Sequence, residues 1–120
     1  MNYNVKGTGL QVSDEIRTYI EKRLVHVDVF LKNDKTAHVD VEVEYQTSEG
    51  RKKYRAEFTL QTMSNVFRAE AGGDTLHEAL DIASDELTLE LRRSKKKHLR
   101  LIRHGAVKFK EFMQGFRDRF

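Results

Sequence analysis

The sequence predicts an α+β fold: a two-layer β-α-β-β-β-α domain whose four-stranded mixed sheet is covered on one face by two helices. Three observations carry this. Four short segments alternate apolar and polar residues with a period of two. Two longer segments repeat apolar residues at threes and fours. Their order lets both helical segments cover the single apolar face of the four strands. With 120 residues, 34% of them charged, the chain can bury one core, built from one face of each element.

Tyr3 and Val5 alternate with Asn4 and Lys6 in a short first strand, which Gly7 and Gly9 are expected to end. Ser13 is placed to cap a helix, with Asp14 and Glu15 in its first turn, where carboxylates complement the helix dipole. Ile16, Ile20, Leu24, Val27 and Leu31 form its apolar stripe over about 13–31. Lys32-Asn33-Asp34-Lys35 is a polar break.

Ala37, Val39, Val41, Val43 and Tyr45 alternate with His38, Asp40, Glu42 and Glu44, the clearest strand pattern in the chain. Ser48-Glu49-Gly50 supplies a turn. Tyr54, Ala56, Phe58 and Leu60 then alternate with Arg55, Glu57, Thr59 and Gln61. In this hairpin, odd positions of one strand face even positions of the other, because a one-residue slip exposes the whole apolar set. Several registers satisfy that parity. Ser64-Asn65 is a second tight connection. Phe67, Ala69 and Ala71 make a fourth strand, closed by Gly72-Gly73.

Thr75 and Glu78 fit a capping box. Leu76, Leu80, Ala83, Leu87 and Leu91 follow at helical spacing, so the second helix starts near Asp74 and reaches at least Arg93. The first strand, its crossover helix and the second strand make a parallel unit, expected to be right-handed. The last two strands add antiparallel neighbours. The β-β-β-α half is like the double-stranded RNA-binding fold, although fold likeness alone says little about function.

Composition removes whole classes. There is no Cys, hence no disulfide, thiolate metal site or cysteine nucleophile. The longest unbroken apolar run is Val29-Phe30-Leu31, too short for a membrane span or secretory signal. A cytoplasmic protein is expected.

Charge is unevenly distributed. Residues 1–91 hold 11 Lys/Arg against 17 Asp/Glu, a balance of −6. Residues 92–120 hold 11 Lys/Arg against Glu111 and Asp118, a balance of +9; the two give the net +3. That asymmetry points to a polyanion. Arg92, Arg93, Lys95, Lys96, Lys97 and Arg100 wind around the helix end, so they cannot all face the core. Lys22 and Arg23 offer a second basic point, with His26 one turn on. Solvated charge at a helix C-terminus is the plain alternative, since it complements the dipole by a few tenths of a kcal/mol per residue. Five cations in six positions exceed that need.

Three segments carry a resemblance: Lys6-Gly7-Thr8-Gly9-Leu10-Gln11-Val12-Ser13; Ala69-Glu70-Ala71-Gly72-Gly73-Asp74-Thr75-Leu76-His77-Glu78-Ala79-Leu80-Asp81; and Leu91-Arg92-Arg93-Ser94-Lys95-Lys96-Lys97. In order and spacing they resemble the ribosome hibernation factors, the family of the short hibernation-promoting factor and the ribosome-associated translation inhibitor, also labelled sigma-54 modulation proteins. The likeness covers about residues 2–98. His77 stands where that family usually has Tyr, Leu89-Glu90 where it often has Arg-Gln, and His26 where it often has Lys.

The resemblance implies a non-enzymatic factor that binds the small ribosomal subunit in the decoding channel. There it would cover the mRNA path and the A- and P-site tRNA positions and inhibit translation. Its partners would be rRNA and ribosomal proteins, in competition with mRNA and tRNA. No cofactor, metal, membrane or small-molecule substrate is expected. In that family the basic residues of both helices meet rRNA, which transfers to Lys22, Arg23, Arg92, Arg93, Lys95, Lys96 and Lys97; Arg100 joins them from the same basic run. The rival from another class is a non-ribosomal protein-interaction module that modulates a transcription factor.

His77, Asp81 and Asp85 form an i, i+4, i+8 stripe that could bind a metal or do acid–base work. No His-Glu-x-x-His motif, phosphate-cradling loop or nucleophile elbow accompanies it, so a polar helix face is the reading taken. His38, Asp40, Glu42 and Glu44 likewise read as a solvated sheet face, with Arg55 and Lys53 opposite. Residues 1–98 are taken as one domain and 99–120 as a basic, aromatic tail. In the tail, Leu99, Ile102, Ala106, Phe109, Met113, Phe116 and Phe120 recur at threes and fours. That length is too short for the dimerisation domain of long hibernation factors, so a short form with an extension is expected. The tail is expected on the mRNA path; packing against the domain or a second copy, or lying on a membrane surface, are its alternatives.

Overall fold

The computed structural model describes residues 1–31, 34–47, 49–63 and 65–103, with side chains as far as Lys95. Lys32, Asn33, Ser48 and Ser64, in the expected connections, lie outside the described residues, as do 104–120 of the expected tail. The elements run β1 (Asn2–Thr8), α1 (Asp14–Leu31), β2 (His38–Tyr45), β3 (Tyr54–Gln61), β4 (Val66–Gly73) and α2 (Leu76–Arg103).

The strands lie in the order β1-β2-β3-β4, with β1 parallel to β2 and the other neighbours antiparallel. Val39 faces Leu60, Val41 faces Phe58 and Val43 faces Ala56, so odd positions meet even ones as the burial pattern requires. Those six residues are fully or almost fully buried and share one cluster with Ile20, Leu24, Val27 and Leu31 of α1. Leu76, Ala79, Leu80, Ala83, Leu87 and Leu91 of α2 complete it. Both helices cover the same sheet face, and the mixed α+β architecture is as the periodicities require.

Both caps form. Ser13 Oγ accepts from the Ile16 amide at 3.2 Å, and Thr75 Oγ1 from the Glu78 amide at 3.1 Å. One boundary differs from expectation. Gly7 does not end β1: it pairs with Val43, and the strand continues to Thr8. The glycine is needed for a different reason, since a Cβ there would lie 2.7 Å from the Leu10 carbonyl oxygen. Gly9, at φ +71°, makes the turn. The second helix passes Arg93 and continues to Arg103, because neither Pro nor Gly intervenes.

The opposite sheet face is polar, and the register sorts it into rows. Lys6, Glu42, Glu57 and Glu70 stand in one row across the four strands; Thr8, Glu44, Arg55 and Gly72 stand in the next. Like charges opposite one another destabilise a sheet. Arg55 answers this from the centre. Its Nε donates to Glu44 at 2.8 Å, its Nη2 to Glu42, and its Nη1 lies 3.7 Å from Glu57 and 3.6 Å from Glu70. Burial pulls the guanidinium's pKa down. The Glu44 hydrogen bond and the carboxylates of Glu70, Glu42 and Glu44 outweigh it and hold the group above its ordinary value.

Candidate nucleic-acid interface

The two helices meet along a polar seam. Tyr19 and Arg23, four apart on α1, face the stripe of His77, Asp81 and Asp85 on α2. The Tyr19 hydroxyl donates to Asp81, and its ring meets His77 edge-on with centroids 4.4 Å apart. That bond, with partial burial and the Asp81 charge, raises the Tyr19 pKa above its ordinary value. His77 Nε2 lies 3.7 Å from the Glu15 carboxylate. Arg23 donates through Nε to Ser84 Oγ at 2.7 Å and through Nη2 to Asp85. Two turns on, Arg92 of α2 places its guanidinium carbon 5.9 Å from the centre of the Phe30 ring on α1.

These contacts advance together: 19 with 77 and 81, 23 with 81 to 85, 30 with 92. The helices therefore run parallel, and both C-termini lie at one end of the domain. The C-terminus of α1, which has no basic residue in its own last turn, is level with Arg92 of α2.

The expected site residues distribute unevenly. Arg92 and Arg93 are exposed, just past Leu91. Arg93 Nη1 donates to Glu90 at 2.9 Å. It also lines a groove of about 550 Å³ between α2 and the β4 edge, with Arg68, Phe67 and Leu89 among its walls. Lys95 is half-buried. Lys96, Lys97 and Arg100 lie on the backbone of α2, and their side chains lie outside the described residues. Lys22 is exposed on α1 beside Thr18 and His77. By the seam pairing it is level with about Ala83 of α2, roughly 13 Å along the axis from Arg92 at 1.5 Å per residue. Lys22 and the α2 cluster are thus two separate basic points. Arg23, its neighbour, is turned into the seam.

The sequence reading did not assign roles to Tyr19, Phe30 or Ser84. The pairing of an i, i+4 stripe on α1 with an i, i+4, i+8 stripe on α2 was the available signal for Tyr19; nothing local marks Ser84 or Phe30. The His77-Asp81-Asp85 stripe is occupied in holding α1. Among the described residues no group of three or more His, Asp or Glu could hold a metal ion. Among them, too, no helix is long and apolar enough to cross a membrane.

Residues 3–99 match the family described as Sigma 54 modulation protein / S30EA ribosomal protein. The chain is 24% identical over 110 residues to the Ribosome hibernation promotion factor of Bacillus subtilis, covering 91% of this chain and 57% of that one. It therefore spans about half the length of that relative and of others named alike. The Ribosome hibernation promoting factor of Pseudomonas putida is 25% identical over 108 residues, 90% of this chain and 100% of the relative. Among solved structures, the N-terminal domain of Thermus thermophilus Protein Y superposes with a TM-score of 0.64 at 28% identity, covering 78% of this chain and 98% of that domain. With 97 of its 120 positions inside the family match and the fold shared with that domain, this chain belongs to the Sigma 54 modulation protein / S30EA ribosomal protein family.

Proposed function

We propose that this domain is a ribosome hibernation factor that binds the small ribosomal subunit at the decoding channel, overlaps the mRNA and the A- and P-site tRNA positions, and inhibits translation. The observation that carries the reading is the end of α2. The apolar stripe stops at Leu91, and Arg92 and Arg93 follow it exposed, at the head of a basic run that leaves the core. Structured rRNA presents phosphates at high density, and Lys and Arg neutralise them with release of counterions. The contact set proposed is Arg92, Arg93, Lys95, Lys96, Lys97 and Arg100, with Lys22 as the second point on α1. The names of the relatives support the reading. The role needs binding and steric overlap only, with no bond made or broken, and it places the protein in the cytoplasm with the ribosomes.

The acidic row of Glu42, Glu57 and Glu70 on the open sheet face supports the same orientation, since rRNA would repel it. It also favours a second reading, a module that docks a basic protein partner away from the ribosome. Sucrose-gradient sedimentation of cell extract separates the two. Co-migration with ribosomal particles is expected, whereas protein left at the top of the gradient favours the second reading. Arg92, Arg93, Lys95, Lys96 and Lys97 changed together to Glu should leave the fold intact, abolish co-migration and relieve inhibition of in vitro translation. Retained inhibition by that variant would remove the α2 end from the interface.

A further inference from the structure

We propose that Arg23 is a positioning residue: it clips α1 to α2 and so fixes where the basic end of α2 points, rather than meeting a phosphate itself. The inference rests on the ribosomal reading above and assigns Arg23 a different part in it from Lys22.

One edge of the guanidinium is already committed. Its Nε donates to Ser84 Oγ at 2.7 Å and lies 3.6 Å from the Asp81 carboxylate. Its Nη2 donates to the Asp85 carboxylate and, at 3.4 Å, to the Asp81 carbonyl. Nε and Nη2 form one of the two edges an arginine can offer to a phosphate bidentately, and here that edge faces α2. The side chain is 22% exposed.

Ser84 makes release costly. It is 2% exposed, and its hydroxyl hydrogen goes to the Asp81 carbonyl at 3.1 Å. The hydroxyl oxygen is left to accept from Arg23. Swinging Arg23 out to a phosphate would strip a buried acceptor and leave two aspartates without their cation. The clip sits in the second and third turns of α2, and the basic run begins seven residues beyond Asp85. Leu87 and Leu91 seat α2 on the sheet, and the clip sets its rotation about its own axis, which decides the direction in which Arg92 and Arg93 project.

A double-mutant cycle of Arg23→Gln, Asp85→Ala and the pair tests this. Small-subunit affinity is measured from low to moderate salt, below the melting temperature of all four proteins. Arg23→Gln should weaken binding about three- to tenfold with an unchanged slope of log affinity against log salt, because no phosphate contact is lost. Asp85→Ala should also weaken binding, although removing a negative charge near RNA would by charge alone tighten it. The pair should be no weaker than Arg23→Gln. Lys22→Gln, the control, should lower the slope by about one unit.

A slope lowered by about one unit in Arg23→Gln overturns the proposal in favour of a direct phosphate contact. So does tighter or unchanged binding by Asp85→Ala, or unchanged binding by Arg23→Gln. If the glutamine variant unfolds, Arg23→Lys decides: it keeps the charge but lacks the fork, so positioning expects weaker binding at the same slope. Undiminished binding by Arg23→Lys would refute it. Failure of the ribosomal reading looks different, since the wild-type protein then does not bind small subunits.

Discussion

Tyr19 shows how a single hydroxyl reports on the seam. It donates to Asp81, and the bond holds its proton more firmly than in the unfolded chain. Tyr3, bonded to Glu21 across β1 and α1, is raised in the same sense. A tyrosine whose folded pKa exceeds its unfolded value contributes stability that is complete below about pH 10 and is lost as pH rises through the folded pKa. Base unfolding should therefore begin above about pH 10 with both tyrosines contributing. Tyr19→Phe should cost about 1 kcal/mol at neutral pH and make the alkaline fall in stability shallower. Chemical denaturation across that range, with tyrosinate absorbance, checks it. A variant as stable as wild type at neutral pH, with the same alkaline slope, would mean the bond carries no stability.

At the scale of elements, the sheet depends on Arg55. Glu42, Glu57 and Glu70 stand side by side on three adjacent strands, with Glu44 one row away. A guanidinium only 18% exposed reaches all four. Arg55→Gln should destabilise the domain by about 2 kcal/mol, between the values for exposed and buried pairs. The deficit should shrink in about 0.5 M salt, where the repulsion left behind is screened. Denaturant midpoints at two salt concentrations measure this, and a deficit independent of salt would point to lost packing instead.

The same element shows what a sequence makes legible. Alternation over 37–45 and 54–60 settles which residues are buried, because burial depends on local parity. It does not place Glu42, Glu57 and Glu70 in one row, because register is a long-range choice. For the same reason Arg55 looked like a loose surface pair although it lies among four carboxylates. The helices divide in the same way. Their stripes, caps and basic end follow from local spacing. The inward turn of Arg23 depends on Ser84 and Asp85, some sixty residues away, and nothing in Lys22-Arg23 distinguishes the outward cation from the inward one.

For the whole molecule, binding to small subunits should be dominated by phosphate neutralisation. If about six phosphates are met, affinity should fall about a thousandfold between about 50 and 200 mM salt. Filter binding or sedimentation over that range tests it, and a flat response would sink the phosphate reading.

Helix α2 itself carries twelve residues past Leu91, to Arg103. At 1.5 Å per residue that is about 18 Å of rod, more than two Debye lengths at physiological ionic strength. The rest of the chain is a net anion and would, at close range, cancel part of the attraction of a basic segment for RNA. Distance along the helix removes that conflict, because mobile ions mask the body's charge before it reaches the tip. If the proposed contact set holds, an approaching polyanion should sense the cations of α2 ahead of the body, and the body would follow in an orientation already chosen. Shortening the rod by whole turns should return the cations to the body's field, so the length of α2 past Leu91 would serve as an electrical spacer.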